Sequence, residues 1–434
     1  MSAGYAITTY KMQLCYKHLD WFKQTQSLFD AVLAFYYGQI DQAPQTLSLT
    51  NQNLLRHLEL KTIPQRDGTQ PENPIPYEKV PLYFRRSAIN VAISLYRSYD
   101  SRLKAWKEKQ KDQVGKGKPN PPGRLHASML YYKGMYKNFD DRSIMLKLYT
   151  GKAWVWVKHR ITGRSFPENT EIMSPTVVIR GKKVMLHVPV KEKIEDTRTA
   201  KERVKQSESF VAVALSNADT LAVCTTIKAD GSASHPTFIK GGKALAHRRK
   251  QLIGYIKRGK SNQNTKGILL QSSPLREDGD KAGRTNTKYY QKITCVTDHY
   301  AHEVSRKIVD YAKSHNAKII VMPDYGNTFA KGTQHYLKTS VYDFIGRRII
   351  NDVKYKAWQC GIVVQQSNMR DSAKHCAKCG ENIAKYNTEY QNPSQKFYGG
   401  QNFVCKNGHQ GNTILNTARN LGESFYQTFY EKAS

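Results

Sequence analysis

The chain has 434 residues, 39% of them hydrophobic, with 68 Lys and Arg against 35 Asp and Glu and a formal net charge of +33. At roughly 150 residues per domain the length predicts about three domains. The hydrophobic share excludes a wholly disordered or fibrous chain, and no stretch approaches the roughly 18 apolar residues of a membrane span. A charge of this size costs self-repulsion unless a polyanion offsets it. No segment reads as a basic amphipathic helix with a bulky apolar face, which disfavours a membrane surface and leaves nucleic acid as the expected partner. The 27 Tyr against 14 Phe fit that partner, because Tyr tolerates exposure and offers a ring for stacking on unpaired bases. Residues 1–18 lack the apolar run of a secretory signal, so a cytoplasmic location is expected.

Residues 5–14 partly alternate apolar and polar side chains, as an edge or barrel strand does. Leu19, Phe22, Phe29, Val32 and Tyr36 then recur near helical spacing and predict a helix over 17–38. A polar loop rich in Pro, Asn and Gly occupies 64–77. Leu82, Ile89, Ile93 and Tyr96 lie along one face of a long predicted helix over 81–110, with Pro81 near its start. Residues 111–124, KDQVGKGKPNPPGR, read as an extended basic linker. Short alternating runs at 143–150, 153–161, 176–181 and 183–190 predict strands joined by tight turns, so the first half reads as a β unit interrupted by a helical insert.

In the second half, 210–227 reads as two buried strands joined by a turn at Ser216–Asp219, with a third strand at 236–240 and a basic helix over 243–260. An amphipathic helix over 299–315, with Val304, Ile308, Tyr311 and Ala312 on one face, leads into a strand at Lys318–Met322. A helix over 339–358 and a strand at Gly361–Gln365 follow. Three strands, helix, strand, helix is the order of an RNase H-like α/β domain.

Of the seven cysteines, Cys15, Cys224, Cys295 and Cys360 are scattered and read as small buried hydrophobes. The odd total argues against a disulfide framework. The other three cluster as Cys376-x2-Cys379-Gly380, then Cys405-x3-His409. A CxxC turn followed by Gly lets two thiolates reach one ion, and a second knuckle about 25 residues on completes a tetrahedron. The alternatives are a redox CxxC pair and a metal-free remnant. The polar loop between the knuckles favours metal, since it has no core of its own to fold on. The expectation is a structural Zn²⁺ held by Cys376, Cys379, Cys405 and His409, with His375 as the substitute for His409.

The run IGRRIINDVKYKAWQCGIVVQQSNMRDSAKHCAKCG, followed by FVCKNGHQGNTILNTARNLG, resembles the C-terminal end of the TnpB family and its descendants, the compact type V CRISPR effectors. In that family a RuvC-like nuclease domain is interrupted by a zinc ribbon and closed by a helix with an Asn-x-Ala-x-Asn-like signature, matched here by Asn416-Thr417-Ala418-Arg419-Asn420. The likeness covers about 205–434 well and the N-terminal half in layout only. It implies an α/β chain: a RuvC-like RNase H fold over 205–370 and 410–434 with a zinc-ribbon insert at 371–409. Ahead of it the resemblance implies a wedge-like β barrel over 1–16 and 125–200, with a helical recognition lobe over 17–110. The partners it implies are a guide RNA and target double-stranded DNA, in the cytoplasm of a prokaryote, at the nucleoid.

RuvC nucleases hold two divalent ions with carboxylates from the first strand, the end of the fourth strand and the last helix, and Mg²⁺ needs oxygen ligands at about 2.1 Å. The resemblance puts those positions at Ala214, Pro323 and Ile414, none of which offers an oxygen. Asp324, one step along, points to the opposite face if the strand continues. Asp219 lies in the turn beyond the first strand, and Asn412 is neutral. The expectation is a RuvC-degenerate, nuclease-dead member with no catalytic Mg²⁺, and so not an enzyme. It would bind DNA sequence-specifically under RNA guidance, form an R-loop and regulate transcription as a repressor or recruiter. The alternatives are an endonuclease with a rearranged centre at Asp219 or Asp324, an effector recruiting transposition proteins, and a guide-free nucleic-acid binder. A transcription or transposition protein and a second copy of the chain are the further partners.

For the nucleic acid itself, Lys243, Arg248, Arg249, Lys250, Lys257, Arg258 and Lys260 occupy 243–260 without an acid and read as a rail for phosphates. Arg347, Arg348, Lys354 and Lys356 continue the track, Arg370 follows, and Arg85 and Arg86 are the candidates in the helical insert.

Overall fold

The computed structural model describes residues 4–65, 67–110, 117–168, 170–206, 209–216, 219–228, 232–265, 286–324, 342–368, 372–386 and 400–429. They form two compact units, Ile7–Lys193 and a second made of Met1–Ala6 with Ile194–Ser434. Among the described residues no helix is long and apolar enough to cross a membrane.

The first unit opens with β1 (Tyr5–Cys15), whose alternate side chains Tyr10, Met12 and Leu14 are buried. Three helices follow, α1 (Leu19–Gln42), α2 (Asn51–Thr62) and α3 (Leu82–Gln110). The strands are β2 (Met129–Leu130), β3 (Tyr136–Lys137), β4 (Ser143–Tyr149), β5 (Trp154–Thr162), β6 (Glu171–Ile172), β7 (Thr176–Arg180) and β8 (Lys183–Lys193). The sheet runs β2-β7-β8-β1-β5-β4-β3, with β6 paired to β8. Its inward residues, such as Leu146, Leu148, Leu186 and Val188, share one core with Phe22, Phe29, Tyr36 and Ile89 of the helices. The β7–β8 hairpin closes between Arg180 and Lys183, and Gly181 takes the left-handed φ of 58° such a two-residue turn requires. The helix α2 has no counterpart in the sequence reading. Only Leu54, Leu58 and Thr62 of its twelve residues are buried, too short a stripe to stand out as a period.

The second unit begins with α4 (Ala200–Lys205), started by a capping box between Thr199 and Glu202. The central sheet is built from β9 (Phe210–Leu215), β10 (Thr220–Ile227), β11 (Ala233–Lys240), then, after α5 (Gly242–Thr265) and α6 (Thr287–Ser314), β12 (Ile319–Asp324). The helix α7 (Tyr342–Gln359) and strand β13 (Val363–Asn368) complete it. Its order is β11-β10-β9-β12-β13, antiparallel through β9 and parallel from β9 to β13. An antiparallel meander extended by parallel crossover strands is the RNase H-like arrangement that the order of predicted elements implied. A three-stranded sheet of β14 (Ile383–Tyr386), β15 (Asn402–Cys405) and β16 (Gln410–Asn412) then passes directly into α8 (Thr413–Phe429).

Alternation along the strands divides the sheet between two cores. Val211, Val213, Ile320 and Met322 pack with Ile308 of α6 and Ile349 and Val353 of α7. Phe210, Ala212, Ile319 and Val321 pack with Leu421 and Phe425 of α8. The approach of α8 is close: a Cβ on Gly422 would lie 2.8 Å from Ile227 Cγ1 and 3.0 Å from Ala212 Cβ. Arg203 is wholly buried. Its guanidinium donates to the carbonyls of Arg198, Lys318 and Asp196, at 3.0, 2.8 and 3.2 Å. Of the four scattered cysteines only Cys224 is buried, and burial pushes its thiol up to about 12. Cys15, Cys295 and Cys360 are exposed, contrary to expectation. Cys15 ends β1 on its outward-facing register, Cys295 lies on the outer side of α6, and Cys360 sits in the turn after α7.

Candidate functional site: a cysteine–histidine cluster and the sheet face under the last helix

A glycine closes each knuckle. The N–H of Gly380 donates to Cys376 O at 2.8 Å and that of Gly408 to Cys405 O at 3.0 Å. Both glycines adopt left-handed φ, 73° and 77°, which a side chain would resist. The turns aim four ligand atoms at one point. Cys379 Sγ is 3.7 Å from Cys405 Sγ, and His409 Nδ1 is 3.8, 3.4 and 3.5 Å from the sulfurs of Cys376, Cys379 and Cys405. All four ligand atoms lie within 4.8 Å of one another. Bonds of about 2.3 Å to sulfur and 2.0 Å to nitrogen give tetrahedral edges of about 3.5–3.8 Å, so this donor set fits a closed Zn²⁺ site. Within the cluster burial raises the Cys405 thiol, but the N–H groups of His409 and Asn407 and the neighbouring thiols outweigh it and the shift is downward. The Glu381 N–H lowers the Cys379 thiol, but burial and the neighbouring thiols outweigh it and the shift is upward. Between the two histidines the geometry selects His409. His375 Nδ1 donates instead to Gly380 O at 3.1 Å.

The Asn-x-Ala-x-Asn signature binds this cluster to α8. Asn416 Oδ1 accepts from the Ala377 N–H at 2.8 Å, inside the CxxC turn, while its Nδ2 donates to His375 O at 2.6 Å. Asn420 Nδ2 donates to Ser372 O and His375 O, each at 2.7 Å. The same helix lies on the sheet through Leu421, Gly422 and Phe425.

The alternation above assigns Ala214 and Pro323 to the α8 side of the sheet, and both are buried. The parallel register sets Val321 beside Ala212, the last pair between the two strands. Ile414 lies in the first turn of α8. β12 continues through Asp324, which is exposed and falls on the α6–α7 side. Asp219 is engaged elsewhere: its carbonyl accepts the N–H groups of Gly241 and Gly242 at 2.9 and 2.8 Å, and its carboxylate accepts Lys243 N–H at 3.3 Å, at the start of α5. Asn412 caps α8, its Oδ1 accepting from Ile414 and Leu415 N–H at 2.9 and 3.1 Å.

Along α5, Lys243, Arg248, Lys250, Lys257 and Arg258 are exposed and Arg249 is half-buried. Lys260 lies on the same helix. On α7, Arg347 is exposed, whereas Arg348 is paired with Asp298 and Lys354 donates to Gln366 Oε1 at 2.6 Å. Lys356 donates to His302 O and Ser305 Oγ at 2.7 and 2.6 Å, and burial lowers its pKa. Arg85 and Arg86 converge on one carboxylate, Glu59, at 3.2 and 2.9 Å; Arg85 is only 11% exposed, so its charge is matched within the unit. Arg370 lies outside the described residues.

A family described as Aq_aa04 matches residues 6–150. An uncharacterised protein, aq_aa04 of Aquifex aeolicus strain VF5, is 41% identical over 78 residues, which make up 18% of this chain and 44% of that protein. The chain thus matches less than half the length of this curated relative. Among solved structures the fold is similar to that of a chain in the Cas12f1–sgRNA–target DNA complex, with a TM-score of 0.56 at 13% identity over 94% of this chain and 83% of that one. It is also similar to the mini-RNA-guided endonuclease CRISPR-Cas_phi3, with a TM-score of 0.50 at 10% identity over 96% and 93%. The chain has the fold of these compact effectors, as its C-terminal motifs imply.

Proposed function

We propose that the chain is an RNA-guided, sequence-specific DNA-binding protein that does not cut its target. A guide RNA pairs with one DNA strand, the protein holds the heteroduplex by its backbone and reads a short flanking motif, and the opened site becomes an R-loop. Occupied without cleavage, the site regulates transcription, by blocking polymerase or by recruiting a transcription or transposition protein. The observation that carries this reading is the sheet face under α8. There, at the positions where the resemblance to RuvC nucleases puts their metal-binding carboxylates, the sheet carries Ala214 and Pro323, and the first turn of α8 carries Ile414. Two further observations support it. Asp219 is committed to the start of α5, and Asp324 faces the other side of the sheet.

In this reading Cys376, Cys379, Cys405 and His409 hold a structural Zn²⁺, which closes a ribbon that has little core of its own. The exposed cations of α5 take up phosphates, so that affinity falls steeply with salt. The test is the RNA that co-purifies with the protein from its host. A single scaffold-plus-guide species is expected, and binding to DNA complementary to that guide should follow. Random cellular RNA would contradict the proposal.

A further inference from the structure

The helices α5 and α6 carry an aromatic stack on their outer surface. Tyr255 of α5 and Tyr289 of α6 lie face to face, their ring centroids 5.4 Å apart and their planes within 12°. The Arg258 guanidinium sits 4.7 Å from the Tyr255 centroid. Tyr255 is 47% exposed and Tyr289 half-buried, so the stack reaches the surface through Tyr255; the neighbouring Tyr290, outside the stack, is 49% exposed. Asn286 Nδ2 donates to Ile256 O at 3.4 Å, which ties the start of α6 to α5 beside the stack.

Charge surrounds the rings. Lys257, Lys288 and Lys292 are exposed, and no acidic residue occurs in 243–260 or 286–297. On α5, Arg248, Gln251, Tyr255 and Arg258 follow at intervals of three and four residues and so form one stripe, about 15 Å long at 1.5 Å per residue. A flat ring with a guanidinium on it offers a stacking surface to any base, and cations at its edge offer phosphates a counter-charge. Because the rings and the guanidinium are already stacked, little rotamer freedom is lost when a base adds to them. Stacking does not read base edges, so such a surface suits a strand whose sequence is arbitrary.

We propose that the Arg258–Tyr255–Tyr289 stack is a platform for the bases of unpaired DNA, the strand displaced when the target strand pairs with the guide. That strand is single along its opened length and differs at every target, whereas a guide scaffold has one fixed sequence that hydrogen-bond donors could read. The inference rests on the guided-binding reading, and two measurements separate their fates. Permanganate oxidation of thymines in the displaced strand of the guide–target complex should show a protected patch. Tyr255→Ala with Tyr289→Ala should expose that patch and weaken binding of oligothymidylate to the chain about tenfold. Tyr255→Phe, which keeps the ring, should retain both. Equal protection in the alanine variant overturns the platform. So does a loss that falls on guide RNA retention alone, since the occupant is then RNA. If the target never opens but oligothymidylate binding still depends on the two rings, the guided reading fails and the platform for single-stranded DNA stands.

Discussion

One helix, α8, serves two places of opposite chemistry. At its start Asn416 and Asn420 grip a knuckle where three thiols and an imidazole converge within 4.8 Å. Along its length it covers the sheet face that includes Ala214 and Pro323, with Ile414 in its own first turn. Three thiols and an imidazole at one point form a donor set that the proposed Zn²⁺ would fill, relieving the repulsion between thiolates. The sheet face has no such charge to neutralise and closes by apolar packing against Leu421 and Phe425. Our proposal of a DNA binder that does not cut draws on this contrast: a structural metal at the knuckles and no catalytic metal under α8.

The largest effect expected is on the ribbon. Elemental analysis should give about one zinc per chain, and Cys376→Ser with Cys379→Ser should reduce it to none. Zinc retained by that variant would break the comparison. The link through α8 is sharpened by Asn416→Ala and Asn420→Ala, which remove side chains holding the knuckle backbone. Competition with a chelator should then show metal affinity lower by about 10–100-fold, and an unchanged affinity would uncouple helix and ribbon.

On the sheet side Gly422→Val forces a side chain against Ile227 and Ala212 and should cost about 1–3 kcal/mol in denaturant unfolding. Gly254→Ala, where a Cβ meets nothing within 4 Å, should instead stabilise α5 by about 0.5–1 kcal/mol. The smallest effect is one of pH. The hydrogen bond from the Arg198 side chain, helped by the Arg198 N–H and the charges of Arg203 and Arg198, outweighs burial and lowers the Asp196 carboxyl from 3.8 to about 2. A lowered carboxylate contributes its full stabilisation above 3.8 and loses it as pH falls through about 2. Arg198→Ala should flatten that limb by about 1 kcal/mol, a figure limited by solvent screening at this partly open pair. An acid limb of unchanged slope would show that the pair contributes nothing.

The longer strands, the order of the RNase H-like domain and the cysteine–histidine knuckles were legible because each is encoded in residues close in sequence: alternation at period two, or CxxC followed by Gly; the short β2, β3, β6, β14, β15 and β16 were not. What was not legible depends on distant partners. Arg203 looks like any surface cation until the fold brings the Lys318 carbonyl to it across 115 residues. The first turns of α6 expose Lys288, Tyr290, Gln291 and Lys292, so their helical period carries no apolar signal. Arg85 and Arg86 read as a basic pair because Glu59, which holds both, lies on another helix. The signature Asn416 and Asn420 could be recognised, but their bonds to the knuckle backbone could not, and the Tyr255–Tyr289 stack joins rings 34 positions apart.

The central claim is tested most directly by incubating the purified RNA–protein complex with matched DNA and Mg²⁺, then scoring footprint and strand integrity on the same molecules. A protected, opened target with both strands intact, unchanged by Asp219→Ala or Asp324→Ala, is expected. Mg²⁺-dependent cleavage of the bound target, abolished by either substitution, would contradict it.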